Sequence, residues 1–258
     1  MMLYRLVVVC FLFATLAPKA EDVTQLTPAD CSLNVGWSIW PPYQYFSESG
    51  KPIGLQIELL KQIATEANCT FNFVQQSFSQ NVSDIRDGKL DMMPDITVTD
   101  KRRLFAYFSE PYRHEIQILY VKSEFFERCK DQSLETILSR DFRLGLSKSN
   151  FYGEKLESIK NDLTFKDNLV FLDKNSQGIA AIVSGKIDGY FEDPAVIAYL
   201  TESEKLTVKI KSCYVENYAG KLSLMFSKKS TDKQLVKRIN RAIKEVKESK
   251  LYKRHWEW

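Results

Sequence analysis

The densest set of groups able to hold an anion is the segment Asp95-Ile96-Thr97-Val98-Thr99-Asp100-Lys101-Arg102-Arg103. Thr99 is a helix-capping residue type, and the free N–H groups of the helix it would open attract negative charge. Thr97 adds a hydroxyl, and Arg102 offers a two-pronged planar donor that matches a carboxylate. Converging on one point, these groups would bind a carboxylate without a metal. An arginine in a first helical turn is by itself more often a surface residue, so spacing alone leaves both readings open. Nucleophilic hydrolysis lacks its parts, because the two histidines, His114 and His255, stand in no serine or cysteine motif. Two distant histidines and no Cys-x-x-Cys pair argue against a metal site, and no cofactor is expected.

Alternating strand and helix patterns must position that segment. Short strands are expected at 32–36, 70–74 and 90–93, with helices around Ile57, Leu60, Ile63 and Ala64 and over 79–88. The grammar returns with strands at 143–146, 169–172 and 187–191 and helices from about Tyr152 and over 176–184. Such repetition predicts α/β architecture with parallel sheets covered by helices. Two cassettes match: Asp87-Gly88-Lys89-Leu90-Asp91 leads to Asp95, and Ser184-Gly185-Lys186-Ile187-Asp188 leads to Asp193. They read either as one step used once in each of two lobes or as a common βαβ turn occurring twice by chance. In open α/β sheets the carboxyl ends of strands border the ligand crevice, so two facing lobes would form a cleft. A last helix over 231–248 carries Leu235, Ile239, Ala242, Ile243 and Val246 on one face, and Lys237, Arg238, Arg241 and Lys244 on a basic outer face read as solvated.

The 258 residues are 44% hydrophobic and 27% charged, enough for one large domain or two lobes. Lys plus Arg number 36 against 33 Asp plus Glu, which gives no electrostatic bid for nucleic acid. Residues 1–20 place Arg5 before an apolar run from Leu6 to Ala17 and end on Ala20, the pattern of a secretory signal peptide cleaved after Ala20. The run is too short to span a bilayer, which needs about 20 apolar residues. The expected product is exported and soluble. Beyond the leader remain Cys31, Cys69, Cys129 and Cys213, an even count that suggests two disulfides with three possible connectivities. Parallel neighbouring strands would bring Cys31 and Cys69 to one sheet edge, which favours Cys31–Cys69 with Cys129–Cys213.

From Leu33 onward the chain resembles the bacterial extracellular solute-binding proteins of family 3, the polar amino-acid receptors of ABC importers. The resemblance is carried by LNVG and WPPYQY at 33–45, GKPIGLQIELLKQIA at 50–64, GKLDMMPDITVTDKR at 88–102, YFSEPY at 107–112 and GKIDGYFEDPAVIAYL at 185–200. It implies a two-lobed periplasmic-binding-protein-like (type II) fold that closes on its ligand, with lobe 1 at 21–120 plus 216–258 and lobe 2 at 121–215. Carried over by position, Arg102 holds the ligand carboxylate, Thr97 assists it, Asp193 receives an α-ammonium group, and Trp40 lies against the ligand. Asp95 and Glu192 depart from the family pattern. They either read a cationic side chain or simply raise the local acid count. In lobe 2 the family's hydroxyl-bearing helix start corresponds to residues 147–151. The resemblance implies a non-enzymatic, monomeric periplasmic receptor for a small amino acid or similar zwitterion, with an inner-membrane ABC permease as transient partner. Two rivals share the fold: a cyclohexadienyl or arogenate dehydratase-like enzyme using Asp95 or Glu192 as acid, and the ligand-binding subunit of a sensory system.

Overall fold

The computed structural model describes residues 31–139, 141–147, 150–172, 177–203 and 210–256. The expected leader, and Lys148 and Ser149 of the anticipated lobe 2 helix start, lie outside the described residues. The first strand, β1 (Cys31–Trp37), buries Leu33, Val35 and Trp37 at its alternate positions. A small hairpin, β2 (Tyr45–Phe46) and β3 (Pro52–Ile53), leads into helix α1 (Leu55–Glu66), whose Ile57, Leu60 and Ile63 face the core. Strand β4 (Cys69–Gln75) runs parallel to β1 in the register Cys31↔Cys69. The two cysteines therefore meet and form a disulfide with a Cα separation of 4.7 Å. Helix α2 (Phe78–Asp87), strand β5 (Met92–Thr97), the one-turn α3 (Asp100–Arg103) and β6 (Ala106–Phe108) precede the long strand β7 (Arg113–Lys122).

The second half repeats the pattern with α4 (Phe126–Cys129), α5 (Leu134–Leu138), β8 (Leu144–Ser147), α6 (Glu154–Asn161), β9 (Leu169–Leu172), α7 (Gly178–Val183), β10 (Gly189–Glu192) and α8 (Pro194–Ser203). The chain returns along β11 (Ile210–Ser227) and ends in α9 (Lys233–Lys247) and α10 (Lys250–Trp256). The sheet order is β4-β1-β5-β11-β7-β10-β8-β9, with β6 beside β11. The antiparallel pair β7 and β11 runs through its middle and links two lobes. One core packs Leu33, Leu60 and Leu224 against Ile239 and Ile243 of α9, and another gathers Leu119, Leu144, Leu156 and Phe191. The Cys129–Cys213 disulfide, with a Cα separation of 6.1 Å, ties α4 to β11 within the second lobe.

The two sequence cassettes are one structural step. Gly88 and Gly185 both follow a helix at positive φ, 81° and 73°. Lys89 N and Leu90 N donate to Asp84 O, as Lys186 N and Ile187 N donate to Ala181 O. Asp91 then exchanges two hydrogen bonds with the backbone of Asn34, and Asp188 does the same with Arg143. Each step thereby delivers a strand that carries an acid to the site, Asp95 within β5 and Asp193 directly after β10.

Two expectations need correction. The strand expected at 90–93 lies at Met92–Thr97, continuing past Pro94. Proline lacks the N–H of a regular ladder. Here the partner strand accommodates it, because β11 shifts register between Ser223 and Met225 while Leu224 turns its backbone N–H and C=O to Ser109. On the outer face of α9, Arg238 is half-buried rather than solvated, donating from Nε to Ala67 O (2.6 Å) and from Nη2 to Asn68 O (2.8 Å). It thereby satisfies carbonyls at the C-terminus of α1.

Candidate functional site

The turn carrying Trp40 is pinned by helix α1. Leu55 N and Gln56 N, which have no intrahelical acceptor, donate to Pro42 O and Tyr43 O at 3.2 and 2.8 Å. The approach requires Gly54, at φ 115°, because a Cβ there would lie 2.7 Å from Pro42 O. Trp40 and Tyr43 pack with their rings tilted at 39° and centroids 4.6 Å apart, and Tyr43 stacks in turn on Trp256 of α10.

The kink after Pro94 gives Asp95 a φ of 63° and turns its side chain away from the sheet ladder. Its Oδ1 accepts from Tyr112 Oη (2.7 Å) and Arg113 Nε (2.9 Å), and Arg113 Nη2 makes an ion-pair contact with the same oxygen at 2.8 Å. The Arg113 guanidinium is buried against Trp40, Tyr43 and Trp256, its Cζ within 4.7–5.3 Å of each ring centroid. Burial alone would lower its pKa, and the Asp95 carboxylate together with Tyr112, Tyr43 and Glu115 more than offsets this, keeping the charge fixed. Tyr112 is wholly buried, in keeping with a structural role.

Thr99 caps α3 as expected, accepting from Arg102 N. The buried Arg102 side chain folds back so that Nη1 donates to Thr97 O at 2.7 Å, with Phe78 beneath the guanidinium. Arg102, Thr97, Asp95 and Trp40 line one cavity of about 570 Å³, mouth included. Asn150 and Phe151 complete it from the second lobe, and Glu115 and Gln117 of β7 form part of its floor. Glu192 and Asp193 lie outside this lining. Glu192 Oε1 accepts from Trp40 Nε1 at 3.0 Å, and Asp193 Oδ1 accepts from Tyr43 Oη at 3.0 Å and from Ala195 N at 2.8 Å. Asp193 thus caps α8, and both acids tie the second lobe to the Trp40–Tyr43 turn of the first.

Among the described residues, seven buried polar atoms of this wall have no hydrogen-bond partner: Trp37 Nε1, Gln44 Oε1, Asn81 Nδ2 and Oδ1, Asp95 Oδ2, Gln117 Oε1 and Asn150 Oδ1. Buried polar groups left unpaired are costly, which marks the wall as built to receive a polar molecule. No group of three or more His, Cys, Asp or Glu suited to a metal occurs among the described residues.

Glu115 and Gln117 were not singled out by sequence reasoning. Their signal is an inverted strand pattern: in β7 the polar residues Arg113, Glu115 and Gln117 are buried, while Ile116 between them is 48% exposed. Burial raises the Glu115 carboxyl to about 7, against lowering by Arg113 and the Gln117 hydrogen bond. Burial likewise raises Glu192 to about 8, against lowering by hydrogen bonds from Asp193 N and Trp40.

Glu192 binds its proton more tightly in the folded chain than the ordinary 4.5 of an exposed glutamate. Its contribution is therefore full below pH 4.5 and is lost as pH rises towards 8. The Glu192→Gln variant lacks this titration. The stability of the wild type relative to it, measured by urea unfolding, is expected to fall by about 3 kcal/mol between pH 5.5 and 8. A pH-independent difference would show that Glu192 is not held protonated.

Comparison with known proteins gives a consistent picture. A family model described as bacterial extracellular solute-binding proteins, family 3, matches residues 33–258. The arginine-binding periplasmic protein of Mannheimia haemolytica is 23% identical over 238 residues, covering 92% of this chain and 90% of its own. A probable amino-acid-binding protein of Bacillus subtilis (strain 168) is 21% identical over 246 residues, 95% of this chain and 89% of its own. Among solved structures, an ancestral arginine-binding protein bound to arginine superposes with a TM-score of 0.70 at 24% identity, covering 88% of this chain and 98% of that one.

Proposed function

Because the chain belongs to the bacterial extracellular solute-binding proteins, family 3, a family of receptors rather than enzymes, we propose that its cleft binds a small amino acid or amino-acid-like zwitterion. Arg102, with Thr97 beside it, receives the carboxylate. Trp40 lies against the ligand, and Asp193 and Glu192 act from the second lobe, Asp193 taking the α-ammonium group by exchanging the Tyr43 hydroxyl. Asp95 contributes its unpartnered Oδ2. Lobe 1 is assigned to 21–120 plus 216–258 and lobe 2 to 121–215, with closure by hinge motion at β7 and β11. Residues 1–20 serve as the export signal, and the loaded monomer delivers its solute to an inner-membrane ABC permease.

The observation that carries this function is the wall of orphaned buried polar atoms around a cavity that also holds a buried guanidinium. Titrating the purified protein with a panel of amino acids while following thermal unfolding tests it. A ligand at 100 times its Kd is expected to stabilise the protein by about 2.7 kcal/mol. Unchanged melting with every amphoteric solute would overturn the assignment.

A further inference from the structure

Resting on the receptor function above, we propose that Glu115 and Gln117 on β7 receive a positively charged side chain of the ligand, so that the cleft selects a basic amino acid over its neutral isostere. Both residues project to the same side of the strand, and both are at least nine-tenths buried. Gln117 Nε2 donates to Glu115 Oε1 at 2.9 Å, which orients the amide. Its carbonyl oxygen is then left buried and without a partner. The Glu115 side chain makes no other hydrogen bond and no ion pair among the described residues. The pair therefore offers acceptors to the cavity that it lines.

The donor and acceptor counts point the same way. Gln44, Asn81, Asp95, Gln117 and Asn150 each leave one buried oxygen unpartnered around this cavity, and Glu115 adds a carboxylate oxygen. An α-ammonium group brings three donors, so acceptors remain; a guanidinium brings five more in a planar fork. Arg113, two residues away on the same strand, is the cation whose charge acts on Glu115, but it is held by Asp95 and three rings. The other titratable groups acting on or sensing Glu115 are Asp95 from β5, Asp193 and Glu192 at the end of β10, and Tyr152 and Tyr190 of the second lobe. The acids among them favour retention of a proton on Glu115, which a bound cation would expel.

L-Arginine and L-citrulline differ by that charge at nearly constant shape. Calorimetric titration of the purified protein at pH 7.5 is expected to give at least 30-fold tighter binding of L-arginine. Glu115→Gln is expected to narrow the ratio to within about threefold, chiefly by loss of L-arginine affinity. Wild-type protein, needing no variant, is expected to release protons on binding L-arginine at pH 7, read from titrations in buffers of different ionisation enthalpy. Its affinity for L-arginine should be about tenfold higher at pH 8 than at pH 6. Binding of citrulline as tight as that of arginine, an unaltered ratio in Glu115→Gln, or binding of only other, neutral amino acids would overturn this proposal and leave the receptor function standing. Failure of the wild type to bind any amino acid would overturn both.

Discussion

Replacement of Arg113 by methionine is expected to lower the unfolding free energy by about 3–5 kcal/mol, read by urea denaturation of the ligand-free protein. The side chain is 1% exposed, so no water is at hand to take over from it. Methionine keeps most of the volume and still packs among Trp40, Tyr43 and Trp256, which confines the loss to charge. What remains is the Asp95 carboxylate with one strong partner, the Tyr112 hydroxyl, and an oxygen already lacking any. An uncompensated buried charge is the costly outcome, whereas an ion pair removed whole costs far less. The double variant Asp95→Asn/Arg113→Met is therefore expected to recover at least half of the lost stability. Asparagine suits the test because it tolerates the left-handed backbone of position 95. Strong coupling between the two sites would identify the pair as the anchor of the Trp40–Tyr43 turn. A single-variant loss below about 1 kcal/mol would remove it from that role.

The same pair shows where sequence reasoning reaches and where it stops. Helix punctuation is local, so Gly88 and Gly185 announced the ends of their helices, and the Asp91 and Asp188 steps that follow share the same pair of backbone bonds, to which the Arg143 side chain adds its own grip on Asp188. The Cys31–Cys69 bridge was legible because parallel register alone brings two strand starts together. Thr99, Thr97 and Arg102 fall within six residues, and their mutual placement depends on one turn of chain. Arg113, Glu115 and Gln117 were hidden for the opposite reason. Polar residues alternating along a strand read as a solvated face, and only the crossing of β7 between two lobes turns that face inward. The partners of Glu192 and Asp193 were equally out of reach. Trp40 and Tyr43 stand 152 and 150 residues away from them, and no periodicity encodes a contact across the cleft.

These cross-cleft bonds set the background against which ligand binding is measured. Trp40–Glu192 and Tyr43–Asp193 already join the lobes, with Tyr43, Glu192 and Asp193 buried and Trp40 half-buried. A ligand adds to closure only through contacts better made in the closed arrangement than in an open one. The carboxylate contact proposed for Arg102 would have that property, because Asn150 and Phe151 line the same cavity from the second lobe.

Arg102→Ala is accordingly expected to weaken amino-acid binding at least 100-fold, which corresponds to about 2.7 kcal/mol and lies within the usual cost of truncating one partner of a buried charge pair. At a ligand concentration 100 times the wild-type Kd, stabilisation would then fall from about 2.7 to about 0.4 kcal/mol. The fold is not at stake. Thr97 keeps its ladder position opposite Leu222 and Thr99 still caps the turn, while the bond from Nη1 to Thr97 O and the contact with the Phe78 ring are among those lost. Ligand-free melting should move by only a few degrees. Lysine at position 102 separates charge from geometry: it retains the positive charge but not the planar fork, so an intermediate affinity is expected. The guanidinium's contribution is thus read as the gap between the lysine and wild-type proteins. Binding by Arg102→Ala within threefold of wild type would show that the carboxylate is held elsewhere in the cleft.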